Sequence, residues 1–533
     1  MIKYNFSKSL SAQEQKILTL AAGEIDIYDL QSAYEFLLDN FLLKKKKIIV
    51  YGVGLHTYNL LKLASQDRLS LDNIICFADK YQTEFIDSQG KVYEVISPEK
   101  MINYDFDYVV MSTNINANQF YGDIVKFVTH DKIINLYAHY KNKIQLYCEY
   151  KHTHVNKIHL DSFINDSDNT QTLIVIFQYL PISHLKTIKH LSYYFKIVMI
   201  GEYSKQKYLA DDSIPWYNFS TNEISYIVQK LKNCKIYTLS TMYNNYISAL
   251  VVSLSTVEVY VEFADITSSA YKNGTTLKKY CPNIENELIL ELIIWKYADG
   301  IIFKEGSGIT DPLIKEHRPK KTIRFFMYAD IDGIVDKKDC DEKIKLVYVG
   351  GVHPVGSNND AEGIHQSLYG IAKILTAQGF EFHIYNAFDM GETNHWSNFT
   401  TLAEQIKDFY YHQCLSIFEL SKEISKYDMA WYVFDFSQGS VENWDFYRYG
   451  MSTKIGSYIE AELPILISKE HEFMADVVES LDAGVRVSFD DIYRLNNVIS
   501  KDTINIMKKK MSGAKQRYSY QHNIKKLVDF IGS

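Results

Sequence analysis

The segment Met451–Ser468, MSTKIGSYIEAELPILIS, sets two small hydroxyl residues before a lysine, a short amphipathic run, a proline and an apolar stretch. Ser452 and Thr453 are of the type that opens a helix, whose first N–H groups and dipole favour an anion. Lys454 places a full positive charge at the same point. The chemistry this suits is the holding of a diphosphate. Upstream, LVYVGGVHPVGSNND (Leu346–Asp360) ends an apolar run in Gly350 and Gly351, with Gly356 beyond them, and glycines let a backbone approach a ligand closely. Two such loops at the carboxyl edge of one sheet stand where ligands of open α/β domains bind.

Composition narrows what else the chain can do. Its 57 Lys and Arg against 65 Asp and Glu give a net charge of -8, which excludes a general nucleic-acid binder, since phosphate contacts need a basic face. The six cysteines, Cys76, Cys148, Cys234, Cys281, Cys340 and Cys414, are too far apart for a CxxC pair or a zinc knuckle, and read as reduced core thiols. The amino-terminal MIKYNFSKSLSAQEQK has no signal-peptide apolar run, and no uncharged segment approaches the roughly 18 residues of a membrane span. The expectation is a cytoplasmic protein. The run Met507–Leu527 carries Lys508, Lys509, Lys510, Lys515, Arg517, Lys525 and Lys526 on an otherwise acidic chain and predicts peripheral, salt-reversible contact with anionic lipid at the inner face of the membrane.

The elements that must position these residues alternate between apolar strands and helices, so the fold class expected is α/β with parallel, Rossmann-like sheets. At 533 residues the chain is too long for one core. A helical lead-in, Ser11–Leu43, precedes a first domain within 1–150, with an apolar strand and glycine turn in KKKKIIVYGVG (Lys44–Gly54) and strands at Asn73–Ala78 and Asp107–Ser112. The polar run His152–Thr172 reads as a linker. A second domain, 173–330, has strands at Leu173–Phe177, Lys196–Ile200, Lys235–Leu239, Val257–Phe263 and Gly300–Phe303, with a helix at Glu285–Ala298. The charged Asp330–Glu342 reads as a second linker. The third domain, 343–533, has strands at Lys345–Gly350, Glu381–Tyr385, Met429–Val433 and Pro464–Ile467.

Two consecutive Rossmann-like domains, with VYVGGVHPVGS opening the second and STKIGSYIEAELPILIS near its end, resemble glycosyltransferases of the GT-B fold, closest to the retaining, metal-independent group that builds bacterial surface polysaccharides. VEVYVEFADI (Val257–Ile266) and LIIWKYADGIIFKEGSGITDPL (Leu292–Leu313) match the acceptor domain of that family. The resemblance implies a nucleotide-sugar donor with its diphosphate on Gly350, Gly351 and the Ser452, Thr453, Lys454 helix start, Lys454 serving as the phosphate cation, and no metal or other cofactor. It also implies a Glu seven positions before Pro464 to hold the ribose. This chain has Ser457 there, and Glu460, one turn on, is the candidate substitute. The family glycine two before Pro464 is Glu462.

On the acceptor side, Glu262 and Asp265 follow an apolar strand, and Tyr243, Asn244 and Asn245 follow another. Polar groups at strand ends suit the hydroxyls of a glycan or lipid-linked acceptor. A retaining transfer needs positioning and charge stabilisation more than a strong base, which ranks Lys454 and Arg448 as the catalytic candidates. The first domain carries YGVGLHT (Tyr51–Thr57) and Asp79, a glycine turn without the third glycine of a dinucleotide fingerprint, and resembles small Rossmann-like domains appended to sugar-modifying enzymes. His56, His353, His365 and His383 are read as structural. The function expected is sugar transfer from a nucleotide-sugar in surface polysaccharide synthesis. The alternatives are a nucleotide-sugar epimerase, or a catalytically silent GT-B protein that binds a partner transferase.

Overall fold

The computed structural model describes the chain except residues 1–5, 16, 19–36, 38–40, 43, 54–56, 58–59, 62–70, 81, 87–90, 113–116, 137–155, 178–179, 181–182, 202–213, 220, 243, 271–283, 333–341, 353–362, 388–396 and 438–443. The chain is α/β and divides into two compact units, one built on Thr19–Phe163, the other on Ile164–Ser533 together with Ile2–Leu18. Three sheets, almost wholly parallel, form the framework.

The first unit has six strands: β1 (Ile48–Tyr51), β2 (Ile74–Ala78), β3 (Glu84–Ile86), β4 (Val92–Ile96), β5 (Tyr108–Met111) and β6 (Ile133–Asn135), in the order β3-β4-β2-β1-β5-β6. Only the β3–β4 pair is antiparallel. At the end of β1, Asp79 Oδ2 accepts the N–H of Val53 (3.2 Å), and Thr57 Oγ1 bonds Ser112 Oγ (2.8 Å). The Asp79 carboxylate thus takes part in fixing the glycine turn. Gly54 and His56 lie outside the described residues, as does most of the expected lead-in Ser11–Leu43. Residues around Ser7 belong to the second unit, where Ser7 N donates to Ser253 O (2.8 Å) and Tyr297 Oη to Ser9 O (2.7 Å).

The second unit holds two sheets. The seven-stranded one comprises β7 (Thr172–Phe177), β8 (Lys196–Gly201), β9 (Trp216–Asn218), β10 (Lys235–Ser240), β11 (Val259–Phe263), β12 (Gly300–Phe303) and β13 (Thr322–Arg324), in the order β13-β12-β11-β10-β7-β8-β9. The six-stranded one comprises β14 (Lys345–Gly350), β15 (Glu381–Asn386), β16 (Phe409–His412), β17 (Met429–Tyr432), β18 (Ile465–Ser468) and β19 (Gly484–Val487), in the order β16-β15-β14-β17-β18-β19. Central strands such as β7 and β18 are buried along their whole length, the pattern of parallel strands covered on both faces by helices. All strands of a sheet point one way, so their carboxyl ends collect at one edge.

The strand expectations hold in place within one or two residues for the long apolar runs. The expected linker His152–Thr172 instead contains a helix, Asn156–Ser167. Its apolar residues are few, but Phe163 and Ile164 are buried, and packing outweighs the weak local pattern. Short edge strands β3, β6, β9, β13, β16 and β19 escape the sequence reading because three or four residues carry too little periodicity.

The two sheets of this unit are joined twice. Phe325–Asp332 leads from β13 towards the second sheet, and the closing helix Tyr520–Gly532 returns to the first. There Lys321 Nζ bonds Phe530 O (2.9 Å), and Phe530 packs edge-on against Tyr260. The crossing points are tied by Ala329 N to Tyr518 O (3.0 Å) and Tyr520 N to Ala329 O (2.9 Å). Between the two sheets, Lys186 places its ammonium 2.7 Å from both oxygens of Glu460, in full burial.

Candidate functional site

Lys454 opens the helix Lys454–Glu460, which follows the helix Trp444–Tyr449 in the long connection between β17 and β18. Its side chain lies over Gly350, the last residue of β14, where a Cβ would stand 2.0 Å from Lys454 Cε. Gly350 has φ +133°, a conformation open to glycine and hostile to a side chain. The lysine therefore fits only because this position is bare. Its ammonium stands 5.9 Å from the centre of the Tyr348 ring and 5.8 Å from that of Tyr432. Tyr348 in turn donates its hydroxyl to Gly351 O (3.0 Å) and holds the glycine loop. Ser452 Oγ accepts the Lys454 N–H (3.3 Å), while Thr453, the residue before the helix, makes no capping bond.

Opposite stands the carboxyl edge of the seven-stranded sheet. Beyond β11, Asp265 pairs with Lys304 (2.7 Å), the residue that follows β12, and Lys304 also donates to Ala264 O. Glu305 comes next, 1% exposed, with one oxygen accepting the Lys304 N–H (3.1 Å) and the other, among the described residues, without a hydrogen-bond partner. The chain then touches the second sheet, since Gly306 N donates to Tyr449 O (2.7 Å). Loops from both sheets thus meet at one seam.

Electrostatics ties the two sides together. Burial, and then the charge of Lys304, push the Lys454 ammonium down to about 8, with Asp265 pulling the other way. Burial works against the Lys304 ammonium too, but Asp265 and Glu305 outweigh it and leave its pKa above the ordinary lysine value. Burial pushes the Glu305 carboxyl up to about 7, against the pull of Lys304 and with the help of Asp265. Beside Lys454, His471 is buried among the rings of Tyr432, Phe436 and Tyr447 and donates from Nδ1 to Tyr447 O (3.0 Å). Burial lowers its pKa to about 4, so the ring is neutral.

The remaining candidates from the sequence stand as follows. Arg448 makes a bidentate pair with Glu472 (3.0 Å for each bond) and lies over the Tyr449 ring. Glu460 is committed to Lys186, Ser421 Oγ (2.6 Å) and the Asp330 N–H (2.8 Å). Ser457 is half-buried on the same helix. Glu262 is buried, accepts the Tyr237 hydroxyl and sits 3.4 Å from His184 Nε2. Asn245, fully buried, links Ser240, Thr267 and Glu287. Tyr243 lies outside the described residues, as do His353 and Gly356. The structure thus brings together Gly350, Gly351, Ser452, Lys454 and Asp265, and places Glu460, Glu262 and Asn245 in internal networks.

Sequence reasoning passed over Lys304 and Glu305. The signal available was two charges directly after the apolar run GIIF, at the edge where a parallel strand ends.

No protein-family model matches the chain, and no curated protein matches it. Among solved structures it is similar to HepE of Anabaena in complex with UDP, at 11% identity over 68% of this chain and 99% of that one, with a TM-score of 0.48. It is also similar to an alpha,alpha-trehalose-phosphate synthase (UDP-forming) from Burkholderia vietnamiensis, at 8% identity, 68% and 99% coverage and a TM-score of 0.45. A third is the UDP-GlcNAc 2-epimerase of Methanocaldococcus jannaschii, at 10% identity, 68% and 99% coverage and a TM-score of 0.38. At these identities and TM-scores the likeness concerns architecture and assigns no chemistry.

Proposed function

We propose that the second unit is a GT-B glycosyltransferase that moves a sugar from a nucleotide-diphosphate-sugar to a glycan hydroxyl. The observation that supports it is the Lys454 ammonium laid over Gly350 at the carboxyl edge of the six-stranded sheet, opposite Asp265 and Lys304. A half-buried ammonium at the seam interacts more strongly with a diphosphate than one in open water, and the interaction grows as the leaving group gains charge. The half-buried Gly351, next along the chain, lets the backbone come close to phosphate oxygens beside that ammonium. Asp265, the more exposed partner of its ion pair, is placed to accept a hydrogen bond from an acceptor hydroxyl and orient it.

In this reading the transfer is metal-independent and retaining, with Lys454 supplying the charge at the diphosphate and the departing diphosphate helping to deprotonate the acceptor. Place in surface polysaccharide synthesis is part of the same proposal. Salt-reversible contact of the basic run with anionic lipid belongs to it as well, with fewer cations to offer because Lys508 pairs with Asp428 and Lys515 is buried.

The test is a screen of nucleotide-sugars for thermal stabilisation, followed by turnover in EDTA. A binder at 100 times its dissociation constant raises folding stability by about 2.7 kcal/mol, and turnover is expected to survive chelation. No stabilisation by any nucleotide-sugar, or loss of turnover restored by Mg²⁺ or Mn²⁺, overturns the reading or its metal-free form respectively. One observation favours a second reading, a catalytically silent binding protein. Ser457 cannot supply a ribose-binding carboxylate, and Glu460 is held by three other groups. Binding without transfer or donor hydrolysis distinguishes it.

A further inference from the structure

Glu305 is the one member of the seam cluster for which the proposed transfer has no use. Its carboxyl is 1% exposed, one oxygen accepts the Lys304 backbone N–H (3.1 Å), the Glu305 backbone N–H also favours the charged form, and the other oxygen is buried with no hydrogen-bond partner among the described residues. A carboxylate in that setting is unstable, because a buried charge needs both pairing and hydrogen bonds. The nearest cation, Lys304, has turned to Asp265 and Ala264 O. The groups facing Glu305 are Lys304 on its own loop, Asp265 and Glu262 from β11, and Arg324 from β13, whose Nε donates to the Glu305 carbonyl (2.8 Å). From the other sheet come Lys454 and Tyr432, which interact with Lys304 and Asp265.

We propose that Glu305 is a positioning residue: in its neutral, protonated form it leaves the Lys304 ammonium to Asp265, and it takes up one proton when an anion binds at Lys454, which meets the same Lys304–Asp265 pair from the other sheet. The deduction rests on the diphosphate reading of Lys454. Counting charges shows the direction. With Glu305 ionised, the three cations Lys304, Lys454 and Arg324 are cancelled by the carboxylates of Asp265, Glu262 and Glu305; with Glu305 protonated, the cluster keeps one net positive charge. The second state is the receptive one, so an arriving anion draws a proton from solvent onto the Glu305 carboxylate. Nothing is oxidised, and no bond other than O–H forms. The titration range, near 7, puts this exchange within the working pH of most cells.

Two measurements test it on the full chain. Infrared difference spectra across pH 5 to 9 are expected to show a neutral carboxylic acid band that titrates near pH 7 and is missing in Glu305→Gln. Asp265→Asn, which removes the neighbouring negative charge, should shift its midpoint to lower pH. Inorganic pyrophosphate, titrated calorimetrically at pH 6 and pH 8, is expected to lose affinity over that range by about tenfold more in the wild type than in Glu305→Gln, because the amide mimics the protonated acid permanently. The variant serves as the baseline for the titration of pyrophosphate and of Lys454. Absence of the band, or identical pH dependence in wild type and variant, overturns the role of Glu305. If pyrophosphate fails to bind the wild type while the band is present and titrates, the phosphate reading of Lys454 falls and the coupling to an anion falls with it, whereas the buried proton stands.

Discussion

Lys454 carries a conflict between stability and binding that a single substitution exposes. Its ammonium is held below the ordinary lysine range by burial and by Lys304, so the folded state pays for a charge it retains at pH 7. Lys454→Met keeps the apolar stem over Gly350 and removes that charge. We expect the variant to gain about 1–3 kcal/mol in urea denaturation at pH 7, while nucleotide-sugar affinity falls at least tenfold, about 1.4 kcal/mol. Unchanged affinity in the folded variant removes the phosphate role. Glu305 gives the opposite dependence on pH. A carboxyl whose folded pKa is raised, here from 4.5 to about 7, stabilises the protein below its unfolded pKa, and that contribution is lost as pH climbs through the folded one. Between pH 4.5 and 7 the wild type is therefore expected to lose roughly 3 kcal/mol relative to Glu305→Gln. Denaturation of both proteins at pH 5 and pH 8 checks this; parallel curves would show that the carboxyl does not titrate there.

At the scale of the element, the end of β14 and the start of the Lys454–Glu460 helix form one device. Gly350 lies at φ +133° with Lys454 stacked on its bare Cα, so Gly350→Ala meets both a strained backbone and a 2.0 Å contact. The expected cost is about 2 kcal/mol or more in stability, with the Lys454 side chain displaced and nucleotide-sugar binding weakened beyond what the loss of stability explains. Gly350→Ala with wild-type affinity would separate the glycine from the lysine. These elements were largely legible from sequence. The apolar run LVYV and its terminal glycines, and the Ser-Thr-Lys start before an amphipathic helix, carry local signals strong enough to be read without tertiary information. Asn245 and Glu262 show the limit. Their place after apolar strands looked like a ligand edge, but Asn245 lies at the N-cap of the Tyr246–Leu254 helix and Glu262 within a buried contact with Tyr237 and His184. A polar residue at a strand end serves the loop packing as readily as it serves a ligand, and spacing alone does not distinguish the two.

Across the whole second unit, the Lys186–Glu460 pair joins residues 274 positions apart and fixes the two sheets against each other beside the crossing segment. Lys186→Met and Glu460→Gln each leave a buried partner, and each single variant is expected to lose about 3–5 kcal/mol. The double variant should recover much of that loss, giving a large coupling energy in a double-mutant cycle followed by urea denaturation. Additive losses would mean that the pair does not act as a unit. The class of the fold and the elements at one edge were readable from local signals alone: continuous apolar runs ending in glycine dictate parallel strands, and Ser-Thr-Lys before an amphipathic run dictates the start of a helix. Which charges face one another was settled by the packing of the folded chain. Glu460 was drawn into a buried pair with Lys186, and Lys304 and Asp265 were brought opposite Lys454, because burial and charge pairing depend on neighbours far away in the chain that no local pattern encodes.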